Sequence, residues 1–328
     1  MKNIFVISLF CSVLMSLTAC SDDDNGVLQN DLIKRTVSPL IVGEKIEFAY
    51  AAGTPEGKLN LLRVEASAPG AVGTNFEPYT WHTENGTDVS KEVASECKTE
   101  GNVSSAKIID SQATTLRYYY VIPEEIRGKE VSFVFSSVAE NGEETSYKTP
   151  SYKISSMDMK KLISLSGEDD GARYFSIEDM KAYTRDEVST GNLSSKIDFI
   201  YGYAAKKSVN GNSYDYKHAF FSPSAEAFYP DGFVLPGGLE KKKTLMDKKL
   251  YVWDGQLKDD KNNAIFVDDQ DLKSQTFENS SDYVLDLRAE GSVFMKSSDG
   301  KYVAYIYINK LENDSKTAVI GIKRLSID

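Results

Sequence analysis

Strand-type alternation dominates the chain after residue 30. Val131-Ser132-Phe133-Val134-Phe135-Ser136 sends Val131, Phe133 and Phe135 to one face and Ser132, Val134 and Ser136 to the other, the two-residue period of a half-buried strand. Asn141-Gly142 follows and predicts a hairpin through a type I′ turn, which needs positive φ at both central residues. The return strand is expected from Thr145 to Ile154, with Pro150 restricting it to an edge or a bulge. Tyr118 to Ile122 is a β-rich run ended by Pro123, and Lys45–Tyr50 with Lys58–Glu65 read as the first pair of a sandwich. Short strands at this spacing predict an immunoglobulin-like β-sandwich over residues 31–155, without the Cys…Trp…Cys marker of antibody-type domains.

The second half, residues 156–328, returns to strands and is expected to form a second β-sandwich-like domain with little helix. Ile197–Tyr203 and Tyr214–Phe221 flank Asn210-Gly211-Asn212; Ser292–Lys296 and Tyr302–Asn309 flank Asp299-Gly300. Both are hairpin signals. Tyr283–Arg288 and Lys316–Ile327 are further strands, the latter tying the end of the chain into a sheet. Ser155–Leu165 reads as a hinge or short connector. Phe175–Glu187 is the best helix candidate, with Ser176 as N-cap and Asp179 three residues later.

The first twenty residues break this pattern. Lys2 precedes an apolar stretch from Ile4 to Leu17, too short for the roughly 20 residues of a membrane-spanning helix but of secretory-leader length. It ends at Leu17-Thr18-Ala19-Cys20, which resembles the bacterial lipoprotein lipobox. The resemblance implies cleavage after Ala19, so that residues 1–19 are a signal peptide, and acylation of Cys20. Ser21 and the aspartates Asp22, Asp23 and Asp24 follow. Residues 20–30 are therefore expected to be a lipidated, acidic tether, and Ser-Asp-Asp-Asp is similar to the surface-export signal of Bacteroidetes-type lipoproteins. The expected location is the outer membrane, facing outward, with membrane lipid as partner through Cys20.

Composition narrows the chemistry. The formal net charge is −11, and the only basic cluster, Lys241-Lys242-Lys243 with Lys248-Lys249, reads as a solvated loop, so nucleic acid is not an expected partner. Of three cysteines, Cys11 leaves with the leader and Cys20 takes lipid; Cys97 remains, with no disulfide partner, and reads as a small buried hydrophobe. Two histidines, His82 and His218, are too few for a three-histidine zinc site, and HExxH, Gly-x-Ser-x-Gly, GxxxxGK[ST] and GxGxxG are all missing. No catalytic residue, metal site or cofactor is expected. His218 reads as a strand residue packed among aromatics. Asp268-Asp269-Gln270-Asp271, preceded by Asp259-Asp260, reads as a solvated acidic loop, calcium being the weaker alternative because the EF-hand spacing fails.

The aromatic inventory, 19 Tyr and 15 Phe against two Trp, supplies the binding candidates. Trp81 and Tyr79 lie in a polar, glycine-bounded stretch, and Trp253 precedes a glycine by two residues. Rings in such settings suit stacking on sugar faces; a core position is the competing assignment, most of all for Trp253. With the lipobox and acidic tether, the segments IDFIYGYA, HAFFSPS, DGKYVAYIYI and AVIGIKRLSI resemble a domain of unknown function in Bacteroidetes-type surface lipoproteins, often accessories of glycan-uptake systems. That resemblance implies a non-catalytic protein binding glycan or assisting a transporter complex. The alternatives are a structural or adhesive lipoprotein, fimbrial or host-contacting, and a glycoside hydrolase, whose carboxylate pair sequence alone does not locate.

Overall fold

The computed structural model describes residues 28–327, apart from residue 38 and residues 259–264. Cys20, the expected leader, most of the expected acidic tether and Asp259-Asp260 therefore lie outside the described residues. Within them the protein is mainly β, its principal sheets antiparallel and its helices short.

In the first half two sheets face each other. One runs in the order Gln29–Lys34, Lys45–Gly53, Ala113–Val121, Asn75–Phe76. The other runs Glu144–Lys148, Phe133–Ala139, Leu59–Ala66, Val103–Ile108, Ala94–Glu100. Alternation explains the facing: Ile46, Phe48 and Tyr50 of one sheet and Phe133 and Phe135 of the other are buried in a shared core. Phe133 is its hub, with ring centroids 5.0 Å from both Phe48 and Tyr120. Lys45–Gly53 and Leu59–Ala66 belong to opposite sheets, so they face each other across the core and do not pair. Gln29 and Asn30, expected in the tether, already pair with Gly53 and Ala52.

The turns refine the hairpin expectations. Asn210 and Gly211 both have positive φ, as a two-residue type I′ turn requires. At Asn141-Gly142 and Asp299-Gly300 only the glycine is left-handed, and Gly142 N donates to Ala139 O while Gly300 N donates to Ser297 O. Those two are longer turns closing on a left-handed glycine. Pro150 splits the expected return strand: Glu144–Lys148 pairs with Phe133–Ala139, whereas Tyr152–Lys153 pairs with Glu130–Val131.

In the second half one sheet has the order Asp158–Ser166, Thr317–Ser326, Tyr302–Glu312, Ser292–Lys296, Leu245–Lys249. Its companion has the order Lys181–Tyr183, Tyr174–Ser176, Phe199–Val209, Asn212–Phe221, Tyr283–Val284. Ile320, Ile322 and Ile306 of the first pack on Phe199, Tyr201 and Phe220 of the second. The opposite face of the first sheet is covered too, by Leu257, Val267 and Leu272 of the 250–274 segment together with Ile41 and Met157 from the domain junction.

Two expectations are corrected here. Ser155–Leu165 is no hinge: Asp158–Ser166 is a full strand, interrupted by a bulge at which Leu162 takes positive φ. Phe175–Glu187 is no helix: Tyr174–Ser176 and Lys181–Tyr183 form a hairpin that buries Phe175 and Ala182. The helix begins later, Arg185–Thr190, capped by Thr184 with Glu187 closing a capping box. The junction between the halves is tightly bonded. Leu40 bridges Ile154, Arg127 NH2 lies 2.7 Å from Asp158 Oδ1, and Ser155 Oγ donates to Asp269 Oδ1 at 2.6 Å.

Candidate functional site: a pocket beside Trp253

Between strand Leu245–Lys249 and helix Asp269–Ser274 the chain makes a long excursion that carries Trp253. The residues on either side of this tryptophan are fixed. Tyr305 donates its hydroxyl to Val252 O at 2.7 Å. Asp254 is fully buried and accepts four times over: from Leu257 N (2.9 Å) at Oδ1, and from Val267 N (2.8 Å) and Lys323 Nζ (2.6 Å) at Oδ2, while its backbone O takes Lys258 N (2.9 Å). Lys323, equally buried, also donates to Gln256 Oε1 (2.8 Å) and Val267 O (2.9 Å). Its three N–H groups are thus all used, which is the condition for tolerating a charge inside a protein. Burial draws the Lys323 ammonium below the usual lysine range against the opposing pull of Asp254.

With its neighbours anchored inward, Trp253 points outward. It is 43% exposed, and Tyr251, two residues earlier, is 84% exposed. The core position considered for Trp253 is overturned, because alternation places Val252 and Asp254 inward. The ring borders a pocket of about 550 Å³ based on Val252, Val267 and Phe294, within the size range of small-ligand sites. On its polar side Asp247 Oδ2 accepts from Gln275 Nε2 at 2.9 Å and lies 2.8 Å from Lys249 Nζ. Thr276 and Asn279 add further donors and acceptors. An aromatic face beside an oriented carboxylate and amides offers stacking and hydroxyl recognition in one place.

Trp81 is arranged differently. It sits on strand Tyr79–Glu84, paired with Thr87–Glu92, so its setting is a hairpin strand. At 44% exposure it shares a strand face with exposed Tyr79. Its Nε1 donates to Glu77 Oε1 at 3.1 Å, and the Arg117 guanidinium lies 5.5 Å from the ring centroid. Glu77 Oε2 in turn accepts from the Tyr119 hydroxyl at 3.0 Å. This is an open aromatic surface on the first domain, and neither Tyr79 nor Trp81 lines the Trp253 pocket.

The remaining sequence candidates are structural. His218 is buried between Tyr201, whose hydroxyl lies 2.5 Å from Nδ1, and Asn313, whose Oδ1 lies 3.1 Å from Nε2. Burial holds its imidazole below the ordinary histidine range. Cys97 is half-buried against the first core, its thiol pushed up by burial and by Glu92. Asp268 and Asp271 form the capping box of helix Asp269–Ser274 and are not a loose acidic loop. Asp247, Gln275 and Asn279 went unseen in the sequence because nothing local marks them. Lys323 carries a signal, because with Arg324 it interrupts the apolar run Ala318–Leu325, and strand alternation sends one of the two adjacent charges inward.

Residues 25–154 match a domain of unknown function, DUF4466, and residues 155–327 match another, DUF8576. The crystal structure of a DUF4466 family protein from Parabacteroides merdae is 37% identical to the chain. It superposes with a TM-score of 0.82, over 92% of this chain and 99% of that one. The chain belongs to the DUF4466 family. Two further similar structures of this DUF4466 protein are remote. The major pilin subunit BcpA of Bacillus cereus is 9% identical over 92% of this chain and 66% of that one, with a TM-score of 0.29. The collagen-binding subdomain of the Enterococcus faecalis surface protein ACE is 11% identical over 33% and 87%, with a TM-score of 0.22. Such scores establish no common fold. No curated protein matches the chain. Among the described residues no helix is long and apolar enough to cross a membrane.

Proposed function

We propose that this DUF4466 protein is an outward-facing, lipid-anchored outer-membrane lipoprotein that holds a glycan without cleaving it, in the pocket beside Trp253. The observation that carries the reading is the half-exposed Trp253 ring, fixed through its neighbours, beside Asp247, Gln275 and Asn279. The C–H face of a sugar stacks on the ring, and its hydroxyls pair with the carboxylate and amides. A platform already held in place loses little freedom on binding. The address rests on Leu17-Thr18-Ala19-Cys20, and a family member from Parabacteroides merdae agrees with the Bacteroidetes-type resemblance. Trp81 and Tyr79 serve as an accessory surface.

On a broad glycan panel the purified protein is expected to retain at least one oligosaccharide and to release no new reducing ends. Trp253→Ala is expected to weaken that binding by about 2 kcal/mol, roughly thirtyfold in Kd, the size of a hot-spot truncation, with an unchanged melting temperature. Retention by Trp253→Ala equal to that of the parent protein would remove this pocket from consideration. For the address, Cys20→Ala is expected to abolish palmitate incorporation and move the protein out of the membrane fraction; an unaltered distribution contradicts lipidation at that residue.

A further inference from the structure

A second pocket, of about 360 Å³, lies at one end of the second domain, where four connections converge. The turn after Tyr174–Ser176, the approach to Phe199–Val209, the segment before Leu245–Lys249 and the hairpin between Ser292–Lys296 and Tyr302–Glu312 each contribute. It shares no lining residue with the Trp253 pocket. Nearly all its charges are spent within the protein. Lys196 pairs with Glu178 at 3.5 Å and Asp179 at 3.1 Å. Lys301 pairs with Asp299 at 3.3 Å, and the other Asp299 oxygen accepts from Ser297 Oγ at 2.7 Å. Lys242 donates to Ser195 O at 2.5 Å. Arg324, over the Tyr302 ring, is paired with Asp158.

Asp198 is the exception. It lines the pocket yet is only 3% exposed. Its Oδ2 accepts from Ile177 N at 2.7 Å. Among the described residues Oδ1 has no hydrogen-bond partner, and no cation lies within ion-pairing distance of the carboxylate. Burial pushes its pKa up to about 6, Lys242 pulling the other way and Asp299 and Glu178 adding to the rise. A largely buried carboxylate holding a single protein hydrogen bond is costly, and its free oxygen, reachable only through the pocket, takes a proton or a donor from outside. At the rim Glu240 is exposed and, among the described residues, has no side-chain partner. Glu178, Asp179, Asp198, Glu240 and Asp299 face Lys196, Lys242 and Lys301, so the ionised pocket has an excess of negative charge.

We propose that this pocket binds a small ligand through a primary ammonium group, with Asp198 Oδ1 as its ion-pair acceptor and Glu240 at its rim. The site stands independently of glycan binding at Trp253. An amino sugar and a simple alkylamine share the required chemistry, and matched probes separate them. Ligand-observed NMR titrations of the purified protein with glucosamine against glucose, and ethanolamine against ethylene glycol, read the preference directly. At pH 7.5 the amine of at least one pair is expected to bind tenfold or more tightly than its neutral partner. Tighter binding of glucosamine than of ethanolamine identifies an amino sugar; equal binding means that the ammonium suffices. At pH 5 amine affinity is expected to fall about tenfold, because a carboxyl titrating near 6 is then roughly one-tenth ionised.

Asp198→Asn keeps an acceptor for Ile177 N and is expected to abolish both the amine preference and its pH dependence. Stability gives an independent readout. A carboxyl whose folded pKa is raised contributes stability below its unfolded pKa and loses it as pH rises through the folded value. The neutral variant should therefore melt no lower than the parent at pH 7.5, whereas a purely structural carboxylate would show a loss. Glu240→Gln, exposed at the rim, should weaken both amines two- to threefold. Equal binding of each amine and its neutral partner by the parent protein overturns the proposal whatever the variants do, as does an undiminished amine preference in Asp198→Asn.

Discussion

Lys323→Ala is expected to destabilise the second domain by about 3–5 kcal/mol, because it leaves the fully buried Asp254 carboxylate without its counter-charge. The loss should exceed that of any exposed ion pair in the molecule, such as Lys310–Glu312, where about 0–1 kcal/mol is at stake. Asp254 binds two backbone N–H groups as well as the lysine, so the double variant Lys323→Met/Asp254→Asn should recover only part of the loss. Equilibrium urea unfolding measures both. The chain has two tryptophans, so in a Trp81→Phe background fluorescence reports on Trp253 alone. Its emission should redden in Lys323→Ala before global unfolding, as the excursion that carries the ring loosens. A Lys323→Ala protein within 1 kcal/mol of the parent, with unshifted emission, would show that the buried pair does not organise this segment.

Phe133→Ala is the second large expectation, at about 3–5 kcal/mol for truncating a fully buried aromatic side chain. The ring meets Phe48, Tyr118, Tyr120, Phe135 and Tyr152, so the vacated volume is bordered by other rigid rings and collapses poorly. Thermal melts followed by Trp81 fluorescence in a Trp253→Phe background should move down by several degrees. The second domain has its own buried clusters, so the transition seen by Trp253 in the reciprocal background should move less. Identical shifts at both tryptophans would mean that Arg127, Ser155 and Asp269 at the junction bind the halves into one cooperative unit.

The fold is legible in the sequence where local chemistry and global packing agree. Asn210-Gly211 sits where both residues must have positive φ, and Val131 to Phe135 alternates because one face meets Phe48 and Tyr120. It is illegible where a real local signal serves another end. Ser176 Oγ does accept from Asp179 N, at 3.0 Å, as an N-cap would, but the bond closes a turn, since Phe175 and Ala182 must both reach the same core. Asp268 and Asp271 are exposed, as solvated charge should be, but their spacing is that of a capping box and they open a helix in place of the expected loop. Trp253 is marked as a binding candidate by its sequence neighbours alone. Its partners Asp247 and Gln275 meet only because strand Leu245–Lys249 and helix Asp269–Ser274 pack together. Asp198 was hidden for a related reason, because its distinction is a missing partner.

Strand Thr317–Ser326 occupies an interior position in its sheet, bonded to Asp158–Ser166 on one side and Tyr302–Glu312 on the other. It also supplies Lys323 to the buried pair and Ile320 and Ile322 to the core. During synthesis, with the N-terminus leading, the first domain has all its strands in hand once residue 153 has emerged. The second must wait: its earliest strand, Asp158–Ser166, has no lateral neighbour until residues 317–326 arrive. Long-range pairing of this kind makes formation slow and leaves the incomplete half dependent on protection from aggregation. The molecule is therefore built to mature in sequence, with a finished first domain holding a second that closes only at its last strand.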